Sequence, residues 1–301
     1  LRVPMGLKGA PSYFQQALAG SVFPGLLYNG LELYIDDVIV YGRTEEEYLA
    51  RLRQTFERLR LHGVTLNPKK CRFGLSEVEF VGHTISENGL DFSDEKKRKV
   101  VDFPKPRSAS GVRGFLGLAN YFRDHVRMHS LEVQPIQQLL EGLKGKHAEV
   151  TWTPEAEAAF ERIKRLIGDC PRLSFIQEGS EIHLYTDASD YGVGGYLCQR
   201  LLGPSGEVVE ELPVAFVSKV FSKQQTRWST IEKEAYATVF CFKKLEYLLR
   251  DVHFVLHTDH KNLTYVNAGS SSKAHRWKIL VQDFDYDVEY IKGELNVVAD
   301  S

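Results

Sequence analysis

The sequence predicts an α+β protein of more than one domain, helical in its middle and closing on a mixed, five-stranded α/β domain. Three observations carry that prediction. Near the N-terminus, β-branched and aromatic residues flank an acidic pair in Leu33-Tyr34-Ile35-Asp36-Asp37-Val38-Ile39-Val40-Tyr41, which reads as two short strands around a tight turn. From Thr44 to Gly63, Leu49, Leu52, Phe56 and Leu59 recur at helical spacing. From Glu181 onward the pattern runs strand, strand, strand, helix, strand, helix, strand, as in a mixed sheet with flanking helices.

Composition narrows the classes. With 301 residues and 43% hydrophobic content there is material for two or three cores. A net charge of −2 gives no global basic field, so nucleic-acid binding must come from local patches. Cys71, Cys170, Cys198 and Cys241 form no C-x-x-C pair, which argues against zinc and for a reducing compartment. No apolar run approaches the roughly 20 residues that span a bilayer, and no membrane partner is expected. The chain begins at Leu1 and reads as a piece of a longer polyprotein.

The elements follow in order. Pro4, Gly6, Gly9 and Pro11 make a loop, and Ser12 is expected to cap a helix from Tyr13. Asp36 and Asp37 repel unless a cation lies beside them; a divalent-metal site needs such a pair, and an ordinary polar turn is the alternative. Thr44 caps the next helix, Glu45, Glu46 and Glu47 complement its positive end, and Gly63 stops it. Arg51, Arg53, Arg58 and Arg60 read as its solvated face. Phe80 to Ile85, with Asn88-Gly89 beyond, reads as a hairpin. Asp94 to Arg107 holds Lys96, Lys97, Arg98, Lys99, Lys105 and Arg107, the strongest basic run, either a solvated helix face or a track for a duplex backbone. Thr153 caps a helix with Pro154 in its first turn and Phe160, Ile163 and Ile167 packing.

In the last domain Ile182 and Leu184 alternate toward Asp187, Gly203 and Gly206 mark a turn, and Thr230 to Arg250 is a helix with apolar residues at 231, 235, 239, 242 and 245. Val252 to Thr258 is a strand ending at Asp259, Lys273 to Phe284 a helix, and Asp287 to Ile291 the last strand. Asp187 and Asp259 sit at strand ends, where sites in such sheets gather. Glu234 is expected to face inward while Glu232 and Lys233 face solvent, and Asp300 to open a final helix. Each acid alone is an ordinary surface residue.

The motifs, taken together, resemble those of gypsy-like (Metaviridae-type) LTR retrotransposon Pol polyproteins. Tyr34-Ile35-Asp36-Asp37 between apolar strands resembles the catalytic hairpin of reverse transcriptases. Met5, Gly6, Lys8, Gly9, Pro11, Phe14 and Gln15 match the preceding nucleotide- and template-contacting motif; Leu66 to Phe73 matches the following one, with Lys69 or Lys70 near phosphates. In that family the position matching the 80–89 hairpin grips the primer end, and Ser110 to Phe122 resembles the thumb helix. Tyr-Thr-Asp-Ala-Ser at 185–189, Ser-Thr-Ile-Glu-Lys-Glu at 229–234 and Thr-Asp-His-Lys-Asn-Leu at 258–263 resemble the RNase H of these elements.

The resemblance implies a partial palm over 1–90, a thumb over 91–150, a connecting segment over 151–178 and RNase H over 179–301. It implies Asp36, Asp37, Asp187, Glu234, Asp259 and Asp300 as catalytic metal ligands, with Met5, Gly6, Lys8, Pro11, Gln15 and Lys70 at the nucleotide or template. Two Mg²⁺ ions about 4 Å apart, with Mn²⁺ as a substitute, would serve hydrolysis. Implied partners are an RNA–DNA hybrid, primer–template and, for the full polyprotein, deoxynucleoside triphosphates. The implied location is intracellular, in a cytoplasmic virus-like particle or the nucleus. Two departures shape expectation. The first of the three polymerase aspartates lies upstream of Leu1, so this piece alone is not expected to synthesise DNA. Where retroviral RNase H has a histidine after the last strand, the residues are Tyr290-Ile291-Lys292-Gly293-Glu294, which bears on product release. The final helix, cut at Ser301, would hold Asp300 loosely. Integrase-like enzymes are the rival with the same fold, but their helical Glu follows the second Asp. A non-catalytic, nucleic-acid-binding remnant is the rival from another class.

Overall fold

The computed structural model describes residues 6–259, 277 and 279–291, and two compact units divide at Glu87/Asn88. Met5, Asp300, Lys292 to Glu294 and, of the expected 273–284 helix, residues 273–276 and 278 lie outside the described residues. Among the described residues no helix is long and apolar enough to cross a membrane.

The first unit opens with α1 (Ala10–Ala17). It starts earlier than expected: Gly9 is the N-cap and Pro11 lies in the first turn, where its fixed φ suits the helix and its missing N–H costs nothing. Ser12 is therefore inside the helix rather than its cap. β1 (Leu31–Tyr34) and β2 (Asp37–Val40) pair antiparallel in the predicted hairpin, with Tyr34 opposite Asp37. Leu18, Val22, Phe23, Leu31, Leu33 and Leu59 form the small core beneath it.

α2 (Glu45–Leu61) has the predicted cap: the Glu47 amide donates to Thr44 Oγ1 at 3.2 Å. Its inward face is rotated from the expected stripe. Thr55 and Leu59 are buried, whereas Leu49 and Phe56 are exposed, Phe56 lying edge-on to Phe73. That rotation turns Arg51 toward the hairpin, where its guanidinium donates to Tyr41 O at 2.9 Å and Asn29 Oδ1 at 3.4 Å. Arg51 is thus a clasp, not part of a solvated face. β3 (Glu77–Phe80) and β4 (His83–Ser86) form the predicted hairpin; Val81 and Gly82 at its turn have φ of 48° and 82°, as a type I′ turn requires.

The second unit begins at β5 (Gly89–Asp91), tied to a later segment by reciprocal Leu90–Leu173 backbone hydrogen bonds of 2.7 and 2.9 Å. Then come α3 (Asp94–Val101), α4 (Ala109–Ala119), short α5 (His129–Glu132) and α6 (Gln134–Gln138), and α7 (Pro154–Gly168). The apolar faces of α3, α4, α6 and α7 share one core, which also holds Phe92, Phe115, Phe122 and Phe160. The α7 cap at Thr153 and its buried Phe160, Ile163 and Ile167 are as the sequence predicts.

The sheet follows: β6 (Glu181–Ala188), β7 (Gly192–Leu202), β8 (Val208–Val220), β9 (Phe254–Thr258) and β10 (Tyr286–Tyr290), in spatial order β10-β9-β6-β7-β8. β6, β7 and β8 are antiparallel neighbours; β9 runs parallel to β6 and β10 parallel to β9. The expected 230–250 helix is two, α8 (Thr230–Lys244) and α9 (Glu246–Leu249), broken at Leu245, which is buried with Phe242 and Leu249.

Each face of this sheet has its own chemistry. Ile182, Leu184, Val193 and Leu197 pack with Ala237, Phe240 and Cys241 of α8. The helix lies close because β7 offers glycine beneath it: a Cβ on Gly195 would meet Cys241 Sγ at 2.4 Å. On the opposite face, register aligns Glu289, His257, Tyr185, Tyr196 and Phe216 across all five strands. His257, Tyr185, Tyr196 and Phe216 stack in turn, with centroids 4.3, 5.9 and 4.9 Å apart. His183 Nδ1 and His257 Nε2 are 2.8 Å apart, so one ring nitrogen donates to the other, and both rings are buried. Burial, the neighbouring ring and Arg200 hold His257 down to about 4, and burial also lowers His183. Burial pushes the Tyr185 phenol up to about 12.

Two outcomes follow. Gly195→Ala should cost about 1–3 kcal/mol in denaturant unfolding, with Cys241→Ala in the same chain recovering part of that loss. The histidine pair should make stability pH-dependent. With both folded pKa values below the ordinary 6.5, the unfolded chain binds the extra protons. The contribution is complete above about pH 6.5 and is lost as pH falls toward about 4. Urea midpoints should drop from about pH 7 to about pH 5, and His257→Phe, which keeps the stack, should flatten that dependence.

Candidate active site

Asp187 is the seventh residue of β6 and Asp259 immediately follows β9. Because these strands are parallel neighbours, both acids arrive at the same end of the sheet. Glu234 lies in the early part of α8, on the side turned to the sheet, and is buried. One carboxylate oxygen from each of Asp187, Glu234 and Asp259 lies within 4.8 Å of the other two. Among the described residues this is the group with the spacing of a metal site. Its donors are hard oxygens, which suit Mg²⁺, Mn²⁺ or Ca²⁺ over softer-ligand metals. The expectation that Glu234 faces inward is met by the geometry.

The start of α8 is fixed from two sides. Ser229 and Glu232 form a capping box, Ser229 Oγ accepting from the Glu232 amide and Glu232 Oε2 from the Ser229 amide. Lys233, expected in solvent, is buried, and its ammonium donates to Asp190 Oδ1 at 2.6 Å. The reason is the short connection between β6 and β7, which brings Asp190 over the first turn of the helix. Ser189 Oγ accepts from the amides of Tyr191 and Gly192 and shapes that turn. Lys233 thus ties the element bearing Glu234 to the turn that follows Asp187. Strand alternation and helical period gave no signal for this pair, since Asp190 lies in a turn.

In the first unit Asp36 and Asp37 are both exposed at the hairpin turn. Ile35 occupies the left-handed region at φ 55°, and its amide donates to Gln15 Oε1 at 3.2 Å. Gln15, singled out as a template or nucleotide contact, therefore holds the backbone beside the acidic pair. Gly6, Lys8 and Pro11 are exposed on the preceding loop and helix start, and Lys70 is exposed on the 3₁₀ turn Pro68–Lys70.

The basic run is less open than its composition suggests. Lys97 pairs with Asp91 at 3.1 Å and donates to Cys170 O at 3.1 Å, Lys99 pairs with Glu95 at 2.8 Å, and Lys105 pairs with Glu157. Lys97 in particular anchors α3 to the end of α7.

Comparison with known proteins agrees with both halves of this layout. Residues 1–85 match the family model described as reverse transcriptase (RNA-dependent DNA polymerase), and residues 177–284 match that of the RNase H-like domain found in reverse transcriptase. The retrovirus-related Pol polyprotein from transposon 412 of Drosophila melanogaster is 32% identical over 302 residues, covering 100% of this chain and 24% of that protein. The transposon Tf2-3 polyprotein of Schizosaccharomyces pombe is 29% identical over 307 residues, covering 100% of this chain and 22% of that protein. The chain thus spans about a quarter of the length of these relatives. Among solved structures, the foamy viral protease-reverse transcriptase dRH in complex with double-stranded DNA superposes with a TM-score of 0.74 at 23% identity, over 97% of this chain and 50% of that one. The same viral protein in complex with RNA/DNA hybrid gives 0.73 at 22% identity, over 97% and 39%. At such identities the likeness speaks for the fold. With the fold and both domain models in agreement, the chain carries a reverse transcriptase segment and an RNase H-like domain of the kind found in reverse transcriptases, and it is similar along its whole length to part of retrotransposon Pol polyproteins.

Proposed function

We propose that this chain cleaves the RNA strand of an RNA–DNA hybrid at a Mg²⁺ site formed by Asp187, Glu234 and Asp259, with Asp300 as a fourth ligand. The observation that carries the reading is the meeting of three acids within 4.8 Å at one end of a mixed five-stranded sheet. In the full polyprotein, of the gypsy-like type, Asp36 and Asp37 serve RNA-directed DNA synthesis on a primer–template, with deoxynucleoside triphosphates as substrates. The domain limits that fit are a palm portion over 1–90, thumb over 91–150, connecting segment over 151–178 and RNase H over 179–301.

The chain's own groups have distinct tasks. Asp187, on the central strand, and Asp259, on its parallel neighbour, present oxygens from a rigid sheet, which fixes them better than a loop would. Glu234 closes the site from the helix. Asp187, Glu234 and Asp259 would hold divalent cations that offset their mutual repulsion and would supply an activated water and positive charge for the leaving oxygen of the phosphodiester. Selectivity for the RNA strand requires contacts to ribose 2′-hydroxyls, which deoxyribose lacks.

A labelled hybrid incubated with Mg²⁺ tests the site. Asp259→Asn keeps the size and removes a charge, so cleavage should fall by orders of magnitude while hybrid binding persists. Glu232→Gln is the control, since glutamine preserves the capping box; its activity should stay near that of the unsubstituted chain. An Asp259→Asn protein that cuts as fast as the original would sink the assignment, as would equal loss in Glu232→Gln. Lys233→Met leaves Asp190 in water and frees the helix start. It should raise the Mg²⁺ concentration for half-maximal cleavage about tenfold, with hybrid affinity unchanged, as measured by metal titration.

A further inference from the structure

The second unit contains a cavity of about 700 Å³ whose lining includes none of the three acids, walled by α8, the end of β8, the segment around Arg123 and Trp277. Arg123, Lys219, Lys243 and Lys244 line it, and among its described lining residues there is no carboxylate. Lys243 and Lys244 complement the C-terminal end of α8, which accounts for two cations on that helix. It does not account for Arg123 and Lys219, which come from other elements and converge on the same space. Asp124 lies 3.6 Å from Arg123, and among the described ion pairs it is the one carboxylate found beside any of the four.

Aromatic rings complete the wall. Tyr236 and Trp277 line the cavity, with centroids 5.9 Å apart, and Trp228 braces both at 5.3 and 5.5 Å. Lys219 is oriented by its hydrogen bond to the Tyr236 hydroxyl at 2.5 Å and lies 5.0 Å from that ring's centroid. Four cations around a hollow attract an anion, and flat rings beside them offer a stacking surface. The volume is that of a small-ligand site rather than of a groove for a duplex.

The geometry points to a binding site for a nucleoside phosphate, separate from the catalytic acids: phosphate against Arg123, Lys219, Lys243 and Lys244, base against Trp277 and Tyr236. The ligand is either a free nucleotide or one unit of a single strand. Binding needs no divalent cation, which separates it from the hydrolytic reading.

The test is tryptophan emission and equilibrium binding of the whole chain in excess EDTA, with adenosine monophosphate in one arm and a short oligodeoxyadenylate in the other. Saturable quenching by the mononucleotide assigns a free-nucleotide site; saturation by the oligonucleotide alone assigns a single strand. The exposed pair Lys243→Gln with Lys244→Gln should weaken binding about tenfold. For the oligonucleotide it should also reduce the salt slope by roughly 0.7 per lost phosphate contact. Trp277→Phe should remove most of the quenching while keeping binding, and Asp259→Asn should bind like the unsubstituted chain. No saturable binding of either probe overturns the proposal, as does binding that ignores the double lysine change or is weakened as much by Asp259→Asn.

Discussion

The distance between α8 and the sheet is the constraint on which the hydrolytic site depends. Glu234 and Cys241 are seven residues apart, two helical turns, and so lie on the same side of α8. Cys241 rests on Gly195 with no room for a side chain between them, and its thiol lies 3.7 Å from Gly194 O. Burial raises that thiol's pKa, so it packs as a small neutral group. A bulkier residue at either point would lift the helix and carry Glu234 away from Asp187 and Asp259. The Lys233–Asp190 pair fixes the same helix at its start, so its depth and its end are set by different means.

Close packing on one side leaves polarity for the other. The face opposite α8 carries His183, His257, Tyr185 and Tyr196, whose polar atoms need partners in a buried place. Arg200 donates to Tyr185 Oη at 2.5 Å and pairs with Glu211 at 2.9 Å; the imidazoles share one hydrogen bond, while His183 Nε2 and His257 Nδ1 make none and have Glu181 and Glu289 at 3.6 and 3.5 Å. A row of stacked rings across the sheet is sequence-specific in a way an aliphatic layer is not, since a slip of one residue would turn every ring to the wrong face. This row therefore helps fix the register that places Asp187 beside Asp259.

In the first unit an equivalent role falls to single hydrogen bonds. The acidic turn is exposed, its strands are four residues each, and the core beneath is small. Gln15 holds the turn through the amide of Ile35, and Arg51 holds the far end of the hairpin through Tyr41 O. Both reach from helices, so the position of Asp36 and Asp37 depends on α1 and α2.

Much of this was written locally in the chain. Strand alternation, helical period, the caps at Thr44 and Thr153, and the acidic pair between apolar strands all act within a few residues, and such signals survive without tertiary context. Family resemblance added the order Asp187, Glu234, Asp259, and the fold brings those three together. What the chain could not declare depends on partners far apart in sequence. Helical period says which residues share a face but not how much of that face a neighbouring turn covers, so it gives no sign that Asp190 meets Lys233 or that Tyr41 O and Asn29 meet Arg51. His183 and His257, 74 residues apart, meet only because β6 and β9 pair in parallel, and that pairing, not any local pattern, also sets the two aspartates side by side.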